Sequence, residues 1–150
     1  MPRSWAVLLV VVFVSACGGS SGRPTQATPP TTTPGPVQTV VATGTRSLPG
    51  RRTVLIPFNV PATGTLDVTV DWTVAANEID VYLAVGTCTA QQWPNCAWIA
   101  ASESRDFKPE RLRVVGVTAG PYVLDIGSIG LGDESVSYQV VLTTSGLRGQ

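Results

Sequence analysis

Acid–base chemistry in this sequence depends on its carboxylates, because the chain contains no histidine. That absence excludes Ser-His-Asp and Cys-His nucleophilic sites and removes the side chain that most often transfers protons near neutral pH. Asp67 and Asp71 lie on one face of a predicted strand, about 13 Å apart at about 3.3 Å per residue. Glycosidase carboxylates stand about 5–9.5 Å apart, so these two are not such a pair. We therefore predict that the protein is not an enzyme.

A Ca²⁺ site is one interpretation of Asp71 together with two further acidic residues, Glu78 and Asp80. If Trp72 pairs with Ile79, Asp71 lies opposite Asp80 on the outer face, with Glu78 nearby. Three converging carboxylates would raise one another's pKa or bind a hard cation such as Ca²⁺. The alternative, which the sequence favours, is three solvated acids near a turn. Asp71, Glu78 and Asp80 are therefore a calcium hypothesis, and neither a metal nor another cofactor is assigned.

The first seventeen residues have the features of an export signal that ends in a lipid attachment site. Arg3 precedes an apolar run at residues 5–14, which is too short for a transmembrane helix of about 20 residues and fits a cleaved signal peptide. Val14, Ser15, Ala16 and Cys17 together resemble the lipobox of bacterial lipoproteins. The resemblance implies that Cys17 is the first mature residue and carries a lipid anchor. Ordinary signal peptidase would cut the same bond without adding lipid, and that alternative stays open.

The other two cysteines are predicted to form a disulfide. If Cys17 is acylated, Cys88 and Cys96 remain as an even pair that closes a nine-residue loop in an oxidising compartment. Zinc is the rival interpretation, but structural zinc needs four ligands, and the chain has neither histidine nor a CxxC motif.

Between the signal and the folded part lies a predicted tether at residues 17–38, which begins at the lipidated Cys17. It consists almost wholly of Gly, Ser, Thr and Pro and has no apolar periodicity, so it cannot offset its ordering entropy by burial. Residues 39–150 then form one domain, which we expect to be monomeric. The chain has ten basic and ten acidic residues and no basic face, which argues against nucleic acid as a partner.

The domain is predicted to be all-β, because apolar and polar residues alternate between Gly and Pro turns and no helical period appears. Pro57 and Pro61 mark the strand near residues 54–60 as an edge strand. Seven or eight short strands of this kind predict an antiparallel β-sandwich. The clearest alternating segments are residues 54–60, 65–72, 79–85, 121–126 and 136–142, with weaker ones at 97–101 and 111–115.

Four strand motifs also resemble a known family. They are GTLDVTV from Gly64, NEIDVYL from Asn77, TAGPYVLDI from Thr118 and SYQVVL from Ser137, and their order is similar to that of the bacterial pre-peptidase C-terminal domain over residues 50–144. The resemblance implies a jelly-roll-like sandwich of the kind that usually serves as an accessory module on secreted enzymes. This chain departs from the pattern at Glu78, where the family has an aspartate, and in lacking an attached catalytic domain.

Trp93 lies inside the predicted disulfide loop, next to Pro94. One interpretation is that the loop presents Trp93 as an aromatic binding platform, because exposed aromatics are favoured at binding sites. The other is that Trp93 folds back over the disulfide and caps one end of the sandwich. Trp72 and Trp98 are predicted to lie in the core.

Together these observations predict a lipid-anchored protein of a bacterial cell membrane or outer membrane whose sandwich is a non-catalytic binding module. Its partner would be a protein, a glycan or another envelope component. The alternatives are a structural envelope lipoprotein without a specific ligand and an accessory module of a secreted hydrolase.

Overall fold

A computed structural model describes residues 35–103 and 108–146, which belong to one compact unit. The predicted signal peptide, Cys17 and the tether up to residue 34 lie outside the described residues. Within these ranges no helix has the length and apolar character needed to cross a membrane. The strands are β1 (Val37–Leu48), β2 (Thr53–Val60), β3 (Gly64–Trp72), β4 (Ile79–Val85), β5 (Ala97–Ser102), β6 (Glu110–Val117), β7 (Gly120–Ser128) and β8 (Glu134–Thr144), with one 3₁₀ turn at Trp93–Asn95.

The eight strands form two antiparallel sheets of four strands each. Sheet A has the order β1-β8-β3-β6, and sheet B has the order β2-β7-β4-β5. This interleaving of the chain between two sheets is the jelly-roll topology. The predicted all-β sandwich is confirmed, and so is the edge position of β2, where Pro57 is exposed.

The core lies between the two sheets, where alternation along each strand places the apolar side chains. On β3, the inward residues Leu66, Val68 and Val70 are at most 1 % exposed, and Trp72 is 5 % exposed. Trp72 is therefore a core residue, as predicted. Complete burial of one such side chain contributes about 1.5–3 kcal/mol, which makes this shared interior the main stabilising feature of the fold. The inward residues of β7 and β8 include Leu124, Ile126, Val136, Tyr138, Val140 and Leu142.

The strand β1 was not predicted, although it is the longest strand of sheet A. Its first four residues are exposed and only Leu48 is fully buried, so it lacks the alternation that marks a half-buried strand. It is held instead by antiparallel pairing with β8, from Val37 opposite Thr144 to Leu48 opposite Glu134. It begins at Val37, two residues inside the predicted tether.

The pairing of Trp72 with Ile79 on which the calcium hypothesis was conditional does not form, because β3 and β4 lie in different sheets. Trp72 pairs with Val136 of β8, and Ile79 pairs with Ser128 of β7. Residues 73–78 therefore cross from one sheet to the other instead of closing a hairpin. Periodicity within each strand is the same for both arrangements, which is why the sequence pattern did not distinguish them.

The buried carboxylate of Glu134 holds this crossing in place. Its Oε2 accepts hydrogen bonds from the backbone N–H groups of Thr73 at 3.0 Å and Val74 at 3.1 Å, and from the Thr73 hydroxyl. Its Oε1 accepts a hydrogen bond from the amide of Asn77. Burial alone would raise the pKa of Glu134, but these hydrogen bonds outweigh it and hold the pKa below its ordinary value.

We expect Glu134→Gln to lower the free energy of unfolding at neutral pH by about 1–3 kcal/mol, because the new amide nitrogen cannot accept from these donors. Because the folded-state pKa is depressed, the stabilisation by Glu134 is present above its unfolded pKa and is lost as the pH falls through the folded value. Urea denaturation across the pH range should therefore show the wild type and the variant converging in acid.

Asp67→Asn is the matched control, because the Asp67 carboxylate pairs with Arg113 at 2.9 Å on the surface. We expect that change to cost less than about 1 kcal/mol at any pH. A Glu134→Gln variant as stable as the wild type at neutral pH would contradict the role given to this carboxylate.

Candidate ligand-binding site

Three aromatic side chains meet on the outer face of sheet B. Tyr82 points outward from β4, because its neighbours Val81 and Leu83 are buried in the core. Trp98 comes from β5, and Trp93 comes from the loop between β4 and β5. The ring centroids are 5.7 Å apart for Tyr82 and Trp98, 5.8 Å for Trp93 and Trp98, and 6.2 Å for Tyr82 and Trp93. The rings are inclined to one another by 58° to 82°, so they form inclined walls and not one flat stack.

A disulfide closes the loop that carries Trp93. Cys88 and Cys96 are bonded with their Cα atoms 5.7 Å apart, which confirms the predicted pairing. The loop leaves β4 at Gly86, whose φ of +85° suits glycine and whose N–H donates to the Pro121 carbonyl at 2.8 Å. A bridge across so short a loop lowers the conformational entropy of the unfolded chain, which stabilises the folded state by about 2.5 kcal/mol at room temperature. The loop is therefore fixed covalently at its base.

The buried carboxylate of Asp125 fixes the tip of the same loop. Asp125 is only 1 % exposed, although its position on β7, opposite Tyr82, is on the outer face of the sheet. It accepts hydrogen bonds from the Trp93 indole N–H and from the Thr53 hydroxyl of β2. Burial raises the pKa of Asp125 above its ordinary value, although these two hydrogen bonds oppose the shift. Oδ2 thereby holds the loop through Trp93, and Oδ1 is bonded to β2 through Thr53.

This arrangement departs from the interpretation of Trp93 as a cap, whereas its role as a binding platform stays a prediction. The ring does not cap an end of the sandwich, because it lies against Tyr82 and Trp98 on the outer face of sheet B. It also does not project freely, because its indole is bonded to Asp125 and 37 % of the residue is exposed.

The prediction that Trp98 belongs to the core is wrong. Trp98 is half-buried and pairs with Ala84, at a register shift between Leu83 and Ala84 that places it on the outer face. Its indole N–H donates to the Trp93 carbonyl at 3.1 Å, so Trp98 also supports the loop. The short stretch of alternation in β5 could not reveal this shift, because it arises from the pairing with β4.

Two adjoining cavities flank the aromatic rings. The apolar one, of about 530 Å³, is lined by Tyr82, Trp93, Pro94, Trp98, Ala100 and Ala101. The other, of about 420 Å³, also has a mainly apolar surface, but charged and hydroxyl side chains contribute to it, so we call it the polar cavity. It is lined by Arg51, Arg52, Thr53, Asp80, Tyr82, Trp93, Asp125, Gly127, Ser128 and Ile129. Because Tyr82 and Trp93 line both, we treat the two as one groove and call it the aromatic groove.

The hydroxyl group of Tyr82, like the two indole N–H groups, has a hydrogen-bond partner within the protein. It donates a hydrogen bond to Glu103 Oε1. That bond, with burial and the nearby charges of Asp80, Glu103 and Asp125, raises the pKa of Tyr82 well above its ordinary value. The side chain is therefore an uncharged phenol throughout the physiological range.

The structure does not bring the residues of the calcium hypothesis together. Asp71 lies on sheet A and pairs with Lys108 at 3.3 Å, whereas Asp80 lies on sheet B and lines the polar cavity. Glu78 lies in the crossing between the sheets, and its carbonyl accepts a hydrogen bond from the Ile129 N–H at 3.1 Å. Within residues 35–103 and 108–146, no three Asp, Glu, Cys or His side chains form a group suited to a metal ion.

Comparison with known proteins leaves the site to be interpreted from its own geometry. No protein-family model matches the chain, and no curated protein matches its sequence. What the groove offers chemically is inclined ring surfaces at one end and a mixture of cationic, anionic and hydroxyl side chains at the other. That combination suits binding of a small or extended polar molecule.

Proposed function

We propose that this protein is an exported, lipid-anchored envelope protein whose jelly-roll domain binds an envelope component, without catalysis, through the aromatic groove. The observation that carries the binding role is the set of three rings fixed on one exposed sheet face. Because two indole hydrogen bonds and a disulfide hold the loop, the groove exists before any ligand arrives. Preorganisation of this kind reduces the entropic cost of binding.

The membrane anchor is supported by the lipobox-like sequence ending at Cys17 and by the cysteine count. The chain has three cysteines, and two of them are joined to each other. Cys17 is therefore the cysteine left for another role, and lipid attachment supplies one. A disulfide between Cys88 and Cys96 also agrees with export to an oxidising compartment. The Pro- and Thr-rich residues after Cys17 would hold the domain away from the bilayer.

The contrast between the two outer faces favours a binding module over a purely structural envelope protein. The outer face of sheet A carries hydroxyl and amide side chains, separate exposed valines at Val40 and Val115, and the ion pairs of Asp67 with Arg113 and Asp71 with Lys108. A depression of about 540 Å³ on that face is lined mainly by polar residues such as Thr43, Thr45, Ser137 and Gln139. Sheet B instead presents clustered aromatics, which is typical of recognition surfaces. The resemblance to the pre-peptidase C-terminal domain is consistent with either a free-standing or an accessory module.

Metabolic labelling with a fatty acid tests the anchor. We expect the wild-type chain to incorporate label and to fractionate with membranes, and we expect Cys17→Ala to lose the label. The double variant Cys88→Ala, Cys96→Ala is the matched control, because it removes the other two cysteines and should keep the label. Undiminished labelling of Cys17→Ala would contradict the proposal.

Retention of envelope material by the immobilised mature chain, purified in detergent, tests the binding role. We expect Trp98→Ala to reduce retention by about tenfold or more, because it removes one wall of the aromatic groove. Trp98 lies outside the core, so thermal unfolding should confirm that the variant remains folded.

Val115→Ala is the matched control for this experiment. Val115 is 76 % exposed on β6 of sheet A, so the change removes apolar surface without touching the groove. Retention that is the same for Trp98→Ala as for the wild type would show that the groove is not the binding surface.

A further inference from the structure

The polar atoms of all three aromatic side chains in the groove are already engaged within the protein. The Trp93 indole donates to Asp125, the Trp98 indole donates to the Trp93 carbonyl, and the Tyr82 hydroxyl donates to Glu103. These side chains therefore have no free donor to offer without breaking a contact that holds the site together. A ligand meets them through their ring surfaces, so recognition at this end of the groove is by stacking and apolar contact.

The charges around the groove indicate that the ligand is not strongly charged. None of the six residues that line the apolar cavity carries a charge. The polar cavity is lined by side chains of both signs, namely the exposed Arg51 and Arg52 together with Asp80 and the buried Asp125. A cation attracted to the rings would share the cavity with two arginines, and an anion attracted to the arginines would share it with Asp80.

The polar end instead suits groups that both donate and accept hydrogen bonds. Guanidinium groups are obligate donors, carboxylates are acceptors, and the Thr53 hydroxyl, whose proton points to Asp125, can still accept. The backbone positions the two arginines. Arg51 has a φ of +56°, an unusual conformation for a residue with a side chain, and its N–H donates to the Gly130 carbonyl at 2.9 Å. The backbone of Arg52 is held by Ser128, whose N–H donates a hydrogen bond to the Arg52 carbonyl at 2.8 Å.

The two cavities also set the shape of the ligand. Each has a volume in the range of small-molecule sites, and they adjoin across Tyr82 and Trp93. An occupant of the whole groove is extended, has flat apolar faces that lie on the rings, and carries hydroxyl groups around its rim. Sugar rings have this combination, because their C–H groups form apolar faces and their hydroxyl groups project from the edge.

From these observations we infer that the aromatic groove binds an uncharged oligosaccharide of at least two connected sugar rings. Sugar faces would stack on Trp93, Trp98 and Tyr82, and hydroxyl groups of a neighbouring unit would bond to Arg51, Arg52 and Thr53. The inference rests on the proposed binding role of the groove and adds the chemical class of its ligand.

The test uses the mature chain, purified in detergent and immobilised, with a defined probe. The probe is envelope glycan, prepared by digesting envelopes with protease and nuclease and extracting the residue with organic solvent. We expect the wild type to retain this glycan, and we expect acid hydrolysis of its glycosidic bonds to abolish retention. Retention should change less than about twofold between low and high salt, because screening has little effect on an uncharged ligand.

Groove variants then locate the contact. We expect Trp98→Ala to weaken glycan retention by about tenfold or more, Trp98→Phe to restore part of it, and Arg52→Gln to weaken it by a few-fold. Val115→Ala should behave like the wild type. Partial rescue by phenylalanine separates ring stacking from a general loss of loop structure.

Other occupants give different results. If untreated envelopes are retained in a Trp98-dependent way but protease abolishes that retention, the groove binds a protein, and the carbohydrate inference is wrong while the binding role stands. Displacement of the glycan by choline, at a concentration at which sodium chloride does not displace it, would identify a site that binds cations on its aromatic rings. That result would likewise overturn the inference. If neither envelopes nor glycan binds in a Trp98-dependent way, both the inference and the proposed groove function are wrong.

Discussion

The hydrogen bond between the Trp93 indole and the buried carboxylate of Asp125 is the interaction on which the candidate site depends. A buried carboxylate without hydrogen-bond partners is strongly destabilising. A loop that covers Asp125 must therefore bring a hydrogen-bond donor to it. Thr53 supplies a second donor from β2. The carboxylate thus joins two strands of sheet B to the disulfide loop. Trp93 in turn supports Trp98 through its carbonyl, and the two indoles with Tyr82 form the walls of the groove.

The jelly roll explains why such a site can form on one face only. Both sheets direct their apolar side chains into a common core, which leaves the outer faces free to differ. Sheet A carries mainly polar side chains and surface ion pairs, with single exposed valines such as Val40 and Val115. Sheet B has small residues on its outer face, such as Ala84 and Ala101, which leave room for large rings beside them. The loop between β4 and β5 folds over this face and is fixed there at its base by the disulfide and at its tip by Asp125.

Much of the fold could be predicted from local patterns. The alternation in β3 and β8 reflects direct burial of every second side chain, and the disulfide followed from the number of cysteines. β1 could not be predicted, because backbone pairing with β8 stabilises it more than burial does. Periodicity does not reveal strand partners either, so the sequence could pose the pairing of β3 with β4 only as a condition, and the two strands lie in different sheets. Glu134 determines that connection from more than fifty residues away in the sequence.

The site was harder to predict than the fold because its residues come from several strands and a loop. Trp93 was singled out from its place between two cysteines, but Trp98 was assigned to the wrong face because of a register shift. Asp125 did leave a signal, since it is an acid between Leu124 and Ile126 in an otherwise apolar strand. An acid in such a position needs hydrogen-bond donors, and the sequence alone could not say that Trp93 and Thr53 supply them.

Solvent exchange of the Trp93 indole proton, measured by NMR on the mature chain, tests the central claim most directly. The account predicts exchange slower than that of a free indole by about tenfold or more in the wild type, because the proton is held by a buried carboxylate. It also predicts that Asp125→Asn, which keeps an acceptor oxygen, preserves this protection and that Asp125→Ala removes it. A Trp93 indole that exchanges as fast as a free indole in the wild type, or that is equally protected in Asp125→Ala, would contradict the account.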